Sequence, residues 1–271
     1  MGHSDSKIAP APQMSIEGAR KGIPPAIRFT YQNSWTKLVC WTRVSLYLSE
    51  PDSEPSYSIS FPKGWYGDVI LHNGPDPESA PLAQAGRDST WSSDYNISLP
   101  AVPDSDFGSG QEILRHPSGR KGRWWFATRV GHGPEAHVER FEWRRSHGSE
   151  VKSIGQSRWG WKLVRLGSSK QDEYSSDEEA PDERDGFTSD GKEVVAVWAG
   201  SSTFKSLSGV GELHFRGSGA TGELGTLWSL MAIMSCMAIF QKAMRDAATA
   251  GATASSSASS SSAAAAAAAA S

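Results

Sequence analysis

A chain of 271 residues is long enough for one large β domain, and its formal net charge of −3 gives no global attraction to nucleic acid or to membranes. Two cysteines are too few for a disulfide framework, and the first residues lack the apolar stretch of a secretory signal. We therefore predict a cytoplasmic monomer without a nucleic-acid partner.

Residues 1–25 are rich in Ser, Pro and Gly without any period, which predicts a flexible N-terminal segment. The segment begins MGHSDS, which fits the N-myristoylation pattern with Gly2 as the acylated residue. One acyl chain anchors a protein only weakly and reversibly, so stable membrane binding requires a second signal such as a basic patch.

From residue 26 onward, short runs of β-branched and aromatic residues alternate with Gly, Pro, Asp and Ser turns. This rhythm predicts about a dozen antiparallel strands in a sandwich or barrel, because a parallel sheet needs helical patterns of about 10 to 15 residues between its strands. The predicted strands are 26–31, 42–48, 57–61, 68–72, 82–85, 95–99, 112–116, 123–130, 137–145, 159–166, 193–199 and 212–216.

Residues 168–191 interrupt the strands with a dense run of acidic side chains, which predicts a disordered, solvated loop. Ser175 and Ser176 each precede an acidic residue three positions later. They are candidate phosphorylation sites, and phosphate there would deepen the negative charge of the loop.

Residues 224–240 carry no charge and place large apolar side chains in nearly every direction of a helical wheel. A helix here, predicted over 223–246, must be buried on all sides, either in a protein interior or in a bilayer. Its apolar part spans roughly 26 Å, slightly short of a hydrocarbon core of roughly 30 Å. The cations Lys242 and Arg245 follow the apolar part. In a tail anchor this end of the helix would lie across the membrane, where the positive-inside rule disfavours cations.

A barrel of about twelve strands has a lumen too wide for its own side chains and needs a filling. We therefore predict a mainly β fold over 26–246, a closed antiparallel β-barrel of about 12 strands around the central apolar helix. The alternative is a tail-anchored membrane protein with a cytosolic β domain. Residues 247–271 form a low-complexity Ala/Ser tail.

Twelve strands followed by an apolar helix resemble the tubby-like C-terminal fold that tubby, LURP-one-related and phospholipid-scramblase proteins share. The segments similar to fungal members of this group, within residues 26–246, are FEWRRSHG (141–148), GWKLVRL (160–166), EVVAVWAG (193–200) and GELHFRG (211–217). The resemblance implies a barrel around a helix and, from tubby, binding of phosphoinositide headgroups, although the tubby lipid-binding residues do not match residue by residue. The cysteine-rich and calcium-binding stretches of scramblases are absent from this sequence, so lipid scrambling is not implied.

Residues 115–165 carry twelve cations against four acids. If neighbouring strands bring several cations together, they form a face suited to phosphates, with the turn PSGRKG (117–122) at its tip. The candidates for phosphate or headgroup binding are Arg120, Lys121, Arg123, Arg144 and Arg145. The competing interpretation is that alternating arginines mark an ordinary solvent face.

Other motifs do not support catalysis. GSGATG (217–222) matches the dinucleotide pattern G-x-G-x-x-G, but no parallel strand follows it, so we interpret it as a hinge into the helix. The histidines lack the paired spacing of a zinc site, Cys40 and Cys236 lie in apolar contexts, and no serine lies in a G-x-S-x-G elbow. We predict a non-enzymatic binding or scaffold module without cofactor or metal, peripheral at membranes, whose partner is an anionic lipid headgroup or another protein.

Overall fold

Twelve antiparallel strands form a single sheet. The computed structural model describes residues 11–16, 18, 22–32, 44–89, 92–101, 110–117, 122–131, 133–155, 160–167, 186–201 and 209–268. The strands are β1 (Ala26–Tyr31), β2 (Val44–Ser49), β3 (Tyr57–Phe61), β4 (Val69–His72), β5 (Pro81–Gly86), β6 (Tyr95–Leu99), β7 (Gly110–Leu114), β8 (Arg123–Val130), β9 (His137–Ser146), β10 (Gly160–Gly167), β11 (Val194–Gly200) and β12 (Gly209–Phe215). All twelve predicted strands are confirmed, although β7 and β12 begin earlier than predicted.

The sheet curls into a nearly closed barrel. Its strand order is β7-β6-β5-β4-β3-β2-β1-β12-β11-β10-β9-β8, so β1 pairs with β12 and the two edges are the consecutive strands β7 and β8. The edges meet where Arg115 and Trp125 exchange two backbone hydrogen bonds of 2.8 and 3.0 Å. The predicted fold class is therefore confirmed.

Among the described residues, the sheet is accompanied by the α-helices α1 (Ser149–Gly155), α2 (Gly217–Ala220) and α3 (Thr226–Ala268), with 3-10 turns at Gly64–Tyr66 and Gly133–Glu135. Every residue of α3 from Leu230 to Ile239 is buried by the barrel. By length and composition Thr226–Ala250 is apolar enough to cross a membrane, but 67% of its apolar window is buried inside the protein. The helix extends past the predicted 246 because alanine is the best helix former.

Aromatic side chains fill the space between α3 and the strands. Trp228 lies near the bottom of the barrel, the end at which α3 begins, with its ring centroid 5.4 Å from that of Phe215 and 5.7 Å from that of Phe141. Phe240 lies near the top, the end at which α3 leaves, with its ring 5.9 Å from that of Trp65. These large rings account for much of the apolar burial that stabilises the fold.

The glycine-rich segment 217–222 is the turn by which the chain enters the barrel, as predicted. A Cβ atom on Gly219 would lie 2.4 Å from the carbonyl oxygen of Val195 and 2.7 Å from the Trp228 ring. Gly222 has a φ of +79°, in the left-handed region that favours glycine. The G-x-G-x-x-G pattern is thus explained by packing and backbone geometry.

Helix α1 was not predicted. Its Val151 and Ile154 pack on the outside of the barrel against Val194, Val197 and Ala199 of β11. Strand β11 is therefore buried on both faces, by α3 inside and by α1 outside.

Candidate functional site

An arginine-tryptophan cluster lies on the outer face of β7, β8 and β9. Alternation along β8 buries Trp124 inside the barrel and leaves Trp125 on the outside. The guanidinium carbon of Arg115, just after β7, lies 5.5 Å from the Trp125 ring centroid, and that of Arg140 on β9 lies 4.4 Å from it. Both distances are within the range of cation–π contacts. We call Arg115, Trp125 and Arg140 the Trp125 surface.

The two arginines of the Trp125 surface, Arg115 and Arg140, have no carboxylate partner among the described residues. The Nε atom of Arg140 is buried and has no hydrogen-bond partner among the described residues. Ile113 and Val138, on the flanking strands β7 and β9, are large apolar residues exposed to solvent. The surface therefore offers two cations fixed against an indole ring beside exposed apolar side chains.

A neighbouring cluster on the same face is neutralised. The Oε1 atom of Glu142 accepts hydrogen bonds from Nη1 of Arg123 at 3.0 Å and from Nε of Arg144 at 2.7 Å. Arg144 also pairs with Asp190 at 3.2 Å. Burial opposes ionisation of Asp190, but the Thr188 hydroxyl and the Arg144 charge outweigh it and lower the pKa of this carboxyl group. These two arginines and two carboxylates together carry no net charge.

The predicted phosphate-binding residues fall into different places. Arg123 and Arg144 belong to the neutralised cluster, whereas Arg145 points from the opposite face of β9 toward the top of the barrel, where its guanidinium carbon lies 5.6 Å from the Trp161 ring centroid. Residues 168–185 of the predicted acidic loop lie outside the described residues. So do five predicted site residues: Gly2, Arg120, Lys121, Ser175 and Ser176.

Sequence reasoning did not select Arg115 and Arg140 as site residues. The period-2 alternation of β8 and β9 would have placed Arg140 beside an outward Trp125, but only once Trp124 is known to point inward. Arg115 follows β7 and reaches Trp125 through the backbone bridge that joins the two edges of the sheet. Two adjacent tryptophans give no indication of which one faces the core. The structure resolves this through the register of β8 against β9, in which Ala127 lies opposite Arg140 and Trp125 opposite Glu142.

The densest polar cluster lies at the bottom of the barrel. Arg165 donates to both carboxylate oxygens of Glu139, at 2.6 and 2.8 Å, and to the hydroxyl of Ser218 and the carboxylate of Glu223. The hydrogen bonds from Arg165 lower the pKa of Glu139. Glu193 accepts hydrogen bonds from the backbone N–H and the hydroxyl of Ser218. These contacts tie β9, β10 and the residue before β11 to the start of the helical segment, so the cluster acts as a clamp.

No arrangement suited to metal-dependent chemistry is present in the described part of the chain, where no three His, Cys, Asp or Glu side chains are grouped so that they could hold a metal ion. Cys236 is buried inside the barrel, and burial raises the pKa of its thiol well above the usual value. A thiol in that environment is a poor nucleophile.

Comparison with protein-family models, with curated proteins and with solved structures found no match. The tubby-like resemblance therefore remains a prediction, and the functional assignment depends on the chemistry of the surfaces described above.

Proposed function

We propose that this protein is a non-enzymatic binding module that docks on phosphate-bearing lipid headgroups through the Trp125 surface. The observation that carries the proposal is the pair of arginines, Arg115 and Arg140, held against one outward tryptophan without a carboxylate partner in the described chain. Guanidinium groups bind phosphate oxygens in a bidentate manner, and tryptophan favours the interface between headgroups and acyl chains.

Two features of the fold support a binding role over catalysis. The residues of α3 from Leu230 to Met234 are buried and fill the lower part of the lumen, so this part of the interior leaves no chamber for a substrate. The polar side chains at the bottom are engaged in the clamp around Arg165. The tubby-like resemblance points in the same direction, because tubby proteins bind phosphoinositide headgroups.

The expected strength of the effect follows from surface electrostatics. Each arginine near an anionic membrane contributes about 1 kcal/mol, so loss of both arginines should cost about 2 kcal/mol, or roughly 30-fold in vesicle affinity. The contribution should fall with salt because both groups are near the surface. Arg144 is compensated by Glu142 and Asp190, so its loss should change affinity much less.

The test is sedimentation of the full chain with vesicles of phosphatidylcholine, with and without a phosphoinositide. The double variant Arg115→Gln/Arg140→Gln should lose most binding to the phosphoinositide vesicles. A matched control, Arg28→Gln/Arg216→Gln, removes the same charge from other parts of the barrel and should bind like the wild type. Equal binding by the Trp125-surface variant, or no binding of the wild type to any vesicle, would overturn the proposal and favour a protein partner.

The tail-anchored alternative is tested separately by carbonate extraction from cell membranes. In this fold, a membrane-spanning α3 would have to leave the barrel and expose the inner faces of its strands. We expect carbonate to release the protein. Retention in the membrane pellet would support the tail anchor instead.

A further inference from the structure

Two neighbouring cavities lie at the top of the barrel, between α3 and the ends of the strands. The deeper cavity has a volume of about 180 Å3, and the outer one has a volume of about 410 Å3. Both are lined by Arg145, Trp161, Ile239 and Ala243, so they adjoin each other along this shared wall. They are separate from the Trp125 surface, because Arg145 and Trp125 lie on opposite faces of the sheet.

The deeper cavity has mostly apolar walls. Beyond the shared residues it is lined by Trp143, Trp198, Phe240 and Cys236. An apolar cavity of about 150 Å3 inside a protein is known to take up a benzene-sized molecule, so this space is large enough for an aromatic ring or a short acyl chain. The volume of the outer cavity leaves room for the remainder of such a ligand.

The described residues at the rim of the cavities carry one net positive charge. The charged side chains among the lining residues are Arg145, Lys242 and Asp246, and Lys242 is paired with Asp246 at 2.6 Å. Arg145 has no carboxylate partner in the described part of the chain. Burial, and then the Lys242 charge, lower the pKa of the lining residue His116, so this imidazole is neutral at neutral pH. A single anionic group would therefore compensate Arg145.

The position of the Arg145 side chain depends on a glycine. Gly122 has a φ of +81°, and a Cβ atom there would lie 3.2 Å from Cδ of Arg145. Glycine thus permits both the turn before β8 and the packing of the arginine stem beside it. The guanidinium group is placed over the Trp161 ring, at the boundary between the apolar walls and the rim.

We propose that the top of the barrel binds a small amphipathic monoanion, a carboxylate attached to a ring or short acyl chain. The apolar part packs among Trp143, Trp198 and Phe240, and the carboxylate accepts hydrogen bonds from Arg145. Lys242 adds a second donor when Asp246 turns toward solvent. This binding activity is additional to headgroup docking and does not depend on it.

The test is a binding titration of the full-chain protein, monitored by tryptophan fluorescence and by calorimetry. Octanoate is the probe for an acyl chain, and 2-naphthoate is the probe for an aromatic ring. Saturable binding of either probe supports the proposal and identifies which shape fits. Octanol lacks the charge and acetate lacks the apolar part, so both should bind far more weakly. No saturable binding of either carboxylate, or equal binding of octanol, would overturn the proposal.

Two pairs of variants locate the site. Arg145→Gln should weaken carboxylate binding roughly tenfold, because it removes a charge-assisted hydrogen bond, whereas Arg115→Gln on the Trp125 surface should not change it. Ala243→Phe fills the shared wall and should abolish binding, whereas Ala247→Phe, at an exposed position one turn later on α3, should not. Both substituted alanines are exposed, so neither change disrupts the core. Binding that survives Ala243→Phe or Arg145→Gln unchanged would contradict the assignment.

Discussion

The hydrogen bond between Trp143 and Ser235 offers a sharp test of how α3 is held in the barrel. The indole Nε1 of Trp143 on β9 donates to the hydroxyl of Ser235 at 2.8 Å, and that hydroxyl lies 3.0 Å from the carbonyl oxygen of Ala232. Trp143 and Ser235 are both fully buried. Among the described residues, this is the one side-chain hydrogen bond between the buried stretch of α3 and a strand.

The substitution Ser235→Ala leaves the Trp143 N–H group without its acceptor in a site closed to water. An unsatisfied buried donor lowers the free energy of unfolding by about 1 to 3 kcal/mol, and the higher helix propensity of alanine offsets about 0.5 kcal/mol of this loss. We therefore expect the free energy of unfolding to fall by about 1 to 2 kcal/mol. In a Trp143→Phe background the donor is gone, so the same substitution should cost little, which gives a coupling energy of about 1 kcal/mol or more.

The assay is urea unfolding followed by circular dichroism, with all four members of the cycle measured under the same conditions. Ser229→Ala is the matched control, because the one partner of the Ser229 hydroxyl among the described residues is the carbonyl of Gly225, at 3.4 Å, on the same helical segment. The control should change stability by less than about 0.5 kcal/mol. If Ser235→Ala is no more destabilising than Ser229→Ala, or if its cost is the same with and without Trp143, the hydrogen bond does not hold α3 in the barrel.

Two further substitutions test the bottom of the barrel. Gly219→Ala would place a Cβ atom 2.4 Å from the Val195 carbonyl oxygen, so we expect its free energy of unfolding, measured by thermal unfolding, to fall by about 2 kcal/mol or more. Gly200→Ala is the control and should be nearly neutral, because its Cβ atom would meet nothing within 4 Å. Equal melting temperatures of the two variants would contradict this packing. The hydrogen bonds from Arg165 lower the pKa of Glu139 below the ordinary 4.5, so this carboxylate stabilises the fold above about pH 4.5, and the stabilisation is lost as pH falls through the lower folded-state pKa. Glu139→Gln should therefore cost about 3 kcal/mol at pH 7 and much less at pH 3, and a cost that does not change with pH would refute the clamp.

The strands and the central helix were predictable because each has a strong local pattern. Turn residues separate the twelve strands, and a helix that is apolar on every side can only be buried. Helix α1 was missed because its seven residues, SEVKSIG, are too few to give a clear helical period. The run VVAVWAG of β11 carried a usable signal, since a strand that is apolar on both faces must be covered on both sides.

The candidate site was less predictable than the fold, because charge compensation depends on register. Arg144 and Arg145 are identical neighbours in the sequence, yet one is paired with Glu142 and Asp190 and the other faces a cavity beside Trp161. The pairing of Arg123 with Glu142 likewise follows from the alignment of β8 with β9. A count of twelve cations against four acids cannot separate compensated arginines from available ones.

Hydrogen exchange of the detergent-free full chain is the sharpest test of whether α3 is the core of the barrel. We predict that the amides from Leu230 to Ile239 exchange only on global unfolding, so that their exchange free energy equals the free energy of unfolding measured with urea. Exchange in this stretch at a much lower free energy than that of the barrel strands would show that the helix leaves the barrel on its own and is not part of its core.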